Sequence, residues 1–305
     1  KRYVHLSTGN YNPSTARIYG DLSYFTARDA YADDAGALFN LLTGYSSPPS
    51  WKRFHVAPLG LAERILALID REAALGNRGR IVAKMNSLVD ATVIKALYRA
   101  SQAGVSIDLI VRGICCLRPG VPGTSDNIRV TSIVDRFLEH ARIFYFENGG
   151  KREVYLSSAD WMPRNFVRRV EVMFPIEDEG LRDRMVEEIL AISLADTVKA
   201  RRLLPDGTYV RVRPEVTGAS AAGADNGSGA GHRDVTKTGL RSQQRFMELA
   251  RLKAQQGPSP SLALPGAAAP YPVRPPPPTR AAATSVTPPP VPVTPGTAGT
   301  GGAAS

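Results

Sequence analysis

HLSTGNYNP at residues 5–13 and YLSSADWMP at residues 155–163 are two copies of one sequence pattern. They align without a gap, and each is typical of a β-strand that ends in a turn of small polar residues. At the same spacing Asp21 aligns with Glu171, and an aliphatic residue follows each acid. A repeat of this kind indicates two related β-rich halves that face one active site.

Around these two copies, short β-rich runs alternate with amphipathic helical runs, which predicts a mixed α/β layer fold with a mostly parallel sheet. Helices are predicted at 27–42, 59–75, 90–103 and 179–194. Strands are predicted at 2–7, 81–85, 107–111, 142–146, 153–157 and 169–174. Asp90 is expected to cap the third helix at its N-terminus, and Gly104 is expected to stop it.

The composition of the chain changes near residue 206. From there Ala, Gly, Pro, Ser and Thr dominate, so residues 206–305 are predicted to be a disordered tail whose removal leaves the fold intact. One run within it, 236–255, carries apolar residues at helical spacing and predicts a short helix. A helix of this length needs a partner to be stable.

The formal net charge of +10 favours a polyanionic partner. Charge alone leaves DNA, RNA, anionic lipid and polyphosphate open. The two cysteines, Cys115 and Cys116, are adjacent and have no second pair or histidine at metal-ligand spacing, so we expect them to pack at a strand end. Because neither a disulfide framework nor a bilayer-spanning apolar run is evident, a cytoplasmic location is expected, and membrane association is left open.

His140 and Arg142 form the first candidate site. His140 lies just before a predicted strand, and Arg142 is two positions further on, so both side chains would point to the same side. The imidazole could transfer a proton or a phosphoryl group while the guanidinium holds phosphate oxygens. The alternative is a histidine that only packs in the core.

Other candidate residues lie at strand ends. Arg112 follows the predicted strand 107–111, at the sheet edge where ligands of α/β proteins collect, and could bind phosphate or pair with a loop acid. Lys84 and Asn86 end another strand and could contact the same phosphate. Arg169 and Glu171 share one face of a strand whose other residues are apolar, which indicates a polar pocket.

Tyr19 could stack on a base or a sugar, or it could belong to the core. The glycines match neither a phosphate-binding P-loop nor a dinucleotide fingerprint, so a glycine-rich loop gives no support for nucleotide binding.

Together, the segments HLSTGNYNP, VRGICCLRPG, SIVDRFLEH, IFYFENGG and VYLSSADWMPRN resemble the C-terminal half of bacterial polyphosphate kinases of the phosphohistidine type. This resemblance spans residues 1–205 and implies a phospholipase D-like fold, a mixed sheet with flanking helices. It also implies a division into three parts. Residues 1–27 would end a truncated first C-terminal catalytic subdomain, residues 28–205 would form the second, and 206–305 would be the tail.

The resemblance further implies reversible transfer of the terminal phosphate of ATP to polyphosphate. Tyr19, Arg112 and His140 match nucleotide-binding positions, and His140 also matches the second active-site histidine. Arg169 and Glu171 match residues near the transferred phosphate, so His140 and Glu171 are the expected catalytic residues.

The phosphate-carrying histidine would lie in a His-x-Lys segment upstream of this chain, which alone is expected to be inactive. The expected partners are ATP or ADP, with magnesium as part of the substrate complex, and polyphosphate. No metal site within the chain and no nucleic-acid partner are expected, and homo-oligomers formed through regions outside the chain are left open. Two alternatives are a phospholipase D-like hydrolase, disfavoured because Arg142 stands where that family has lysine, and a non-enzymatic polyanion-binding module.

Overall fold

A computed structural model describes residues 1–44, 50–213 and 239–255 of the chain. The strands are β1 (Val4–Ser7), β2 (Tyr19–Gly20), β3 (Ser23–Thr26), β4 (His55–Ala57), β5 (Arg80–Met85), β6 (Ser106–Val111), β7 (Ile128–Ile133), β8 (Leu138–Glu139), β9 (Arg142–Phe146), β10 (Glu153–Ser157), β11 (Glu171–Pro175), β12 (Ala200–Leu203) and β13 (Tyr209–Arg211). The helices are α1 (Asp29–Leu42), α2 (Leu61–Leu75), α3 (Ala91–Gln102), α4 (Pro163–Val167), α5 (Glu179–Asp183), α6 (Ala191–Leu194) and α7 (Ser242–Gln255). A π-helix, Arg184–Leu190, joins α5 to α6.

Within the described residues, nine strands form one sheet in the order β13-β12-β7-β6-β5-β9-β10-β11-β4. The pairs β5–β6 and β6–β7 are parallel, and the other neighbours are antiparallel. The predicted mixed α/β sheet with flanking helices is therefore confirmed, but the expectation that the sheet is mostly parallel was wrong. Some antiparallel pairs are hairpins made by short connections, such as the turn Asn148–Gly150 between β9 and β10. Others, such as β5 with β9, join strands that are distant in sequence.

Two apolar clusters lie on opposite sides of this sheet, because successive strand residues point to opposite faces. On β5, Ile81 and Ala83 belong to the first cluster, with side chains of α2 and α3, and Val82 belongs to the second. The cap of α3 is as predicted, since the Asp90 carboxylate accepts hydrogen bonds from two backbone N–H groups of its first turn, each at 3.0 Å. Gly104 follows α3 with φ +98°.

The repeated sequence pattern has a repeated structure. β1 pairs with β3, and β10 pairs with β11, both antiparallel. In the first copy the Thr8 backbone N–H donates to Leu22 O at 3.0 Å, and the Leu22 N–H donates to Thr8 Oγ1 at 3.0 Å. Ser158 and Val172 make the same two bonds in the second copy, at 3.0 and 3.1 Å. The two copies therefore end in the same turn and place a carboxylate, Asp21 or Glu171, just before the residue that closes it.

Two elements lie beyond residue 205, where a disordered tail was predicted. β13 continues the sheet as a hairpin with β12, and Gly207 turns this hairpin with φ +90°. The predicted short helix is present as α7. Residues 206–213 and 239–255 therefore do not belong to a disordered tail, and the proline-rich runs predicted to be disordered lie outside the described residues.

The start of α7 is bound to the rest of the fold by buried polar contacts. The Ser242 backbone N–H and hydroxyl donate to Asp196 Oδ2 at 2.8 and 2.7 Å, and Ser242 is fully buried. Arg241 Nε donates to Asp135 Oδ2 at 2.8 Å. The short helix thus has the partner that its length requires.

These contacts change the expectation for truncated chains. Truncation after residue 238 should lower the free energy of unfolding by about 1 to 3 kcal/mol, because Asp196 would lose two of its hydrogen-bond donors in a buried position. Truncation after Gln255 removes only a sequence poor in large apolar residues and should leave the free energy of unfolding unchanged. Urea midpoints at constant slope measure both effects. Equal midpoints for the two truncated chains would show that α7 does not stabilise the fold.

In the ranges that the structure describes, no helix has both the length and the apolar character needed to cross a membrane. Cys115 packs against the first apolar cluster, and burial raises the pKa of its thiol to about 11. Cys116 is exposed.

Candidate active site

His140 lies between β8 and β9, and the pairing of β2 with β8 brings two side chains to it. Its Nδ1 is 2.9 Å from Asp21 Oδ1, and its ring centroid is 4.7 Å from that of Tyr19. Its backbone N–H donates to Gly20 O at 3.2 Å. The candidate histidine is therefore held from both its backbone and its ring.

The orientation of the His140 ring follows from its neighbours. Its Nδ1 faces the Asp21 carboxylate, which can only accept, so Nδ1 carries a proton, and its Nε2 lies 3.0 Å from Arg142 Nη1. Burial alone would raise the pKa of Asp21, but hydrogen bonds from His140 and Thr8 and the positive charge around it lower this pKa below its ordinary value. An ionised Asp21 therefore accepts from the Nδ1–H group and holds the imidazole with Nε2 directed at Arg142.

Arg142 connects the two copies of the repeat. It is buried, and its Nε and Nη2 donate to the two carboxylate oxygens of Asp160 at 3.2 and 2.9 Å. Its Nη1 donates to Thr8 O at 3.2 Å and to His140 O at 2.7 Å. Because Thr8 and Asp160 belong to different copies, this guanidinium fixes the copies to each other. The predicted phosphate contact of Arg142 stays a prediction.

Asn86 is hydrogen-bonded to three other residues of the site. Its backbone N–H donates to Asp160 Oδ1 at 2.7 Å, and its side-chain amide donates to His140 O at 3.3 Å. Its Oδ1 accepts from Arg112 Nε at 3.0 Å. Of the residues that the structure describes, none forms an ion pair with Arg112, so the pairing with a loop acid that we considered is not observed. The structure thus brings Asn86, Arg112, His140 and Arg142 together, and their shared role at one phosphate stays a prediction.

Lys84 is held by a buried ion pair. Its Nζ lies 2.8 Å from Glu139 Oε2, and the side chains of Lys84 and Glu139 are only 4% and 12% exposed. A phosphate contact by this lysine would have to compete with Glu139, so that role also stays a prediction.

Glu171 occupies the position in the second copy that Asp21 occupies in the first. Ser158 Oγ donates to Glu171 Oε2, just as Thr8 Oγ1 donates to Asp21 Oδ1 at 2.8 Å. The Asn165 amide donates to Glu171 Oε1 at 2.6 Å, and Arg169 Nη1 lies 3.9 Å from the same oxygen. Glu171 therefore has polar neighbours on both carboxylate oxygens, and the polar pocket around Glu171 and Arg169 stays a prediction.

Three residues of the site were not among the predicted site residues: Thr8, Asp21 and Asp160. The repeat contains all three, so its spacing was the signal that could have found them. In the described part of the chain, no group of three His, Cys, Asp or Glu side chains is arranged to hold a metal ion. Asp21 and Asp160 are engaged by His140 and Arg142.

Comparisons with known proteins show which family this chain resembles. The family model "Polyphosphate kinase C-terminal domain 2" matches residues 54–222, and "Polyphosphate kinase C-terminal domain 1" matches residues 1–48. These models divide the chain between residues 48 and 54, whereas the division that we predicted lies between 27 and 28.

Curated relatives and a solved structure support the same family. A polyphosphate kinase of Synechocystis is 57% identical over 217 residues, which is 70% of this chain and 30% of the relative. Polyphosphate kinase 1 of Chlorobaculum tepidum is 53% identical over 70% of this chain and 31% of its own length. The crystal structure of the Porphyromonas gingivalis polyphosphate kinase covers 83% of this chain and 36% of its own, with a TM-score of 0.72 and 41% identity. This chain spans about a third of the length of such proteins, and it belongs to the polyphosphate kinase family, whose C-terminal domains it matches.

Proposed function

We propose that this chain forms the nucleotide-side half of an active site that reversibly transfers the terminal phosphate of ATP to polyphosphate. The observation that supports this most is the His140 imidazole, which Asp21 holds with Nε2 beside the guanidinium of Arg142. Such a pair can accept or deliver a proton while cationic groups offset the charge of a transferring phosphoryl group. Phosphoryl transfer depends mainly on this positioning and charge neutralisation.

Arg112 and Tyr19 are the proposed ATP contacts beside His140. Asn86 occupies only Nε of Arg112 among the described residues, which leaves the two terminal nitrogens of the guanidinium for phosphate oxygens. The Tyr19 ring packs against the imidazole and is partly exposed, so it can stack on a base. Magnesium would enter with ATP as part of the substrate.

Glu171 is the proposed partner of a second histidine. Asp21 orients His140, and Glu171 has the same place and the same hydroxyl partner in the second copy of the repeat. By this equivalence Glu171 would accept the Nδ1 proton of a histidine from the other half of the site. That histidine is the proposed phosphate carrier, with Arg169 near the transferred phosphate. A phospholipase D-like hydrolase is the disfavoured alternative.

A chimera tests this function. This chain would replace the corresponding region of the Synechocystis polyphosphate kinase, to which it is 57% identical. We expect the chimera to make polyphosphate from ATP and to make ATP from polyphosphate and ADP. A folded chimera that does neither, beside an active parent, would contradict the proposal.

Arg112→Ala in the chimera should raise the KM for ATP. Each lost charge-assisted hydrogen bond contributes about 1.5 to 3 kcal/mol, and Arg112→Lys should restore only part of this because lysine lacks the planar fork. Arg118→Ala, an exposed arginine on the same connection, is the matched control and should leave KM unchanged. Initial rates at varied ATP measure the effect. An unchanged KM for ATP in Arg112→Ala would remove this residue from the nucleotide site.

A further inference from the structure

Gln243, on the first turn of α7, is buried against the segment that leads into His140. It is 6% exposed. Its Oε1 accepts from the Phe137 backbone N–H at 2.9 Å, and its Nε2 donates to Phe137 O at 2.7 Å and to Glu139 Oε1 at 2.6 Å. One amide side chain therefore binds both backbone groups of Phe137, three residues before His140, and the carboxylate directly before it.

These bonds continue to the active site through Glu139. The other oxygen of this carboxylate, Oε2, pairs with Lys84 Nζ at 2.8 Å, so Gln243 and Lys84 hold Glu139 from both sides. Glu139 lies on β8, which pairs with β2, and this pairing aligns Asp21 with His140. A change at Gln243 therefore acts on β8, the strand that positions the His140 imidazole.

The place of Gln243 does not depend on these bonds alone. Arg241 is paired with Asp135, and Ser242 is bonded to Asp196, so the start of α7 is fixed independently. Farther along α7, Phe246 and Leu249 line a cavity of about 490 Å³, which Tyr19, Asp21 and Glu139 also line. The helix therefore forms one wall beside the candidate site.

We propose that Gln243 is a positioning residue for His140: its amide holds β8 in the register that keeps the imidazole on Asp21. The effect on catalysis rests on the proposed function, whereas the effect on the imidazole does not. The alternative is that Gln243 only stabilises the fold.

Nitrogen NMR of the histidine side chains in the chain itself separates these two roles. The chain has four histidines, and His140→Asn identifies the His140 signals by their loss. Gln243→Met keeps nearly the same volume and removes all three hydrogen bonds. We expect it to shift or broaden the Nδ1 signal of His140 and to leave His55, on β4, unchanged. Gln244→Ala is the matched control and should change neither signal, because this exposed side chain bonds only Glu248 among the described residues.

The chimera gives the second measurement. Gln243→Met should lower kcat by up to about 100-fold, since a misplacement of about 1 Å can cost that much, with the KM for ATP little changed. If Gln243→Met shifts the His140 signal in the chain, and the chimera without this substitution has no transfer activity, the positioning role is retained and the proposed function is rejected. Unchanged His140 signals in folded Gln243→Met, with only a lower melting temperature, would overturn the proposal and make Gln243 a structural residue.

Discussion

Replacing His140 with alanine in the chimera should remove nearly all polyphosphate synthesis and leave thermal unfolding almost unchanged. General acid–base catalysis by a positioned side chain contributes about 10²- to 10⁴-fold, so a loss of at least this size is expected. The side chain is held by polar contacts at the sheet edge, with Asp21 and Tyr19, and belongs to neither apolar cluster. Polyphosphate synthesis rates and melting curves on the same preparations measure both effects.

His55→Ala is the contrasting variant. Burial lowers the pKa of His55 to about 4, and its ring lies 6.0 Å from that of Tyr155, a residue of the first apolar cluster. It should lower the melting temperature and leave the rate per folded molecule unchanged. Near-normal synthesis by His140→Ala with a lowered melting temperature would show that His140 is the packing residue.

Arg142→Ala should lower the free energy of unfolding by about 3 to 5 kcal/mol, the usual cost of leaving one partner of a buried ion pair alone. Asp160, at 4% exposure, would lose its guanidinium partner, and the contacts of Arg142 with Thr8 O and His140 O would also be lost. Denaturant unfolding of the chain measures this loss. The double variant Arg142→Met with Asp160→Asn should recover part of it, because no buried charge is left unpaired.

Arg99→Ala is the matched control, because the Arg99–Asp70 pair is more than half exposed on both sides. Exposed pairs contribute about 0 to 1 kcal/mol. A loss of this small size in Arg142→Ala would show that Arg142 does not fix the two copies of the repeat to each other.

Much of the candidate site could be predicted because local sequence encodes it. His140 and Arg142 are two positions apart at a strand start, and Arg112 and Asn86 follow two neighbouring parallel strands, so the sheet edge brings them together. The repeat likewise predicted equivalent turns in the two halves. Their roles in catalysis stay predictions until the variants above are measured.

The rest depends on contacts distant in sequence. Asp21 reaches His140 only through β2 and β8, two-residue strands that give no periodic signal. The strand directions were mispredicted because alternating β and α runs are compatible with antiparallel pairing as well as with parallel crossovers. The docking of α7 could not be predicted, because its partners Asp135 and Asp196 carry no sequence signal of their own.

Labelling with ATP whose terminal phosphate carries phosphorus-32 tests the central claim most directly. In that claim, this chain supplies the orienting and nucleotide-binding half of a two-histidine site and not the phosphate-carrying histidine. The chimera should take up acid-labile label, the mark of a phosphohistidine, and the chain alone should take up none. Acid-labile label on the chain alone would contradict the claim, because one of its own histidines would then carry the phosphate.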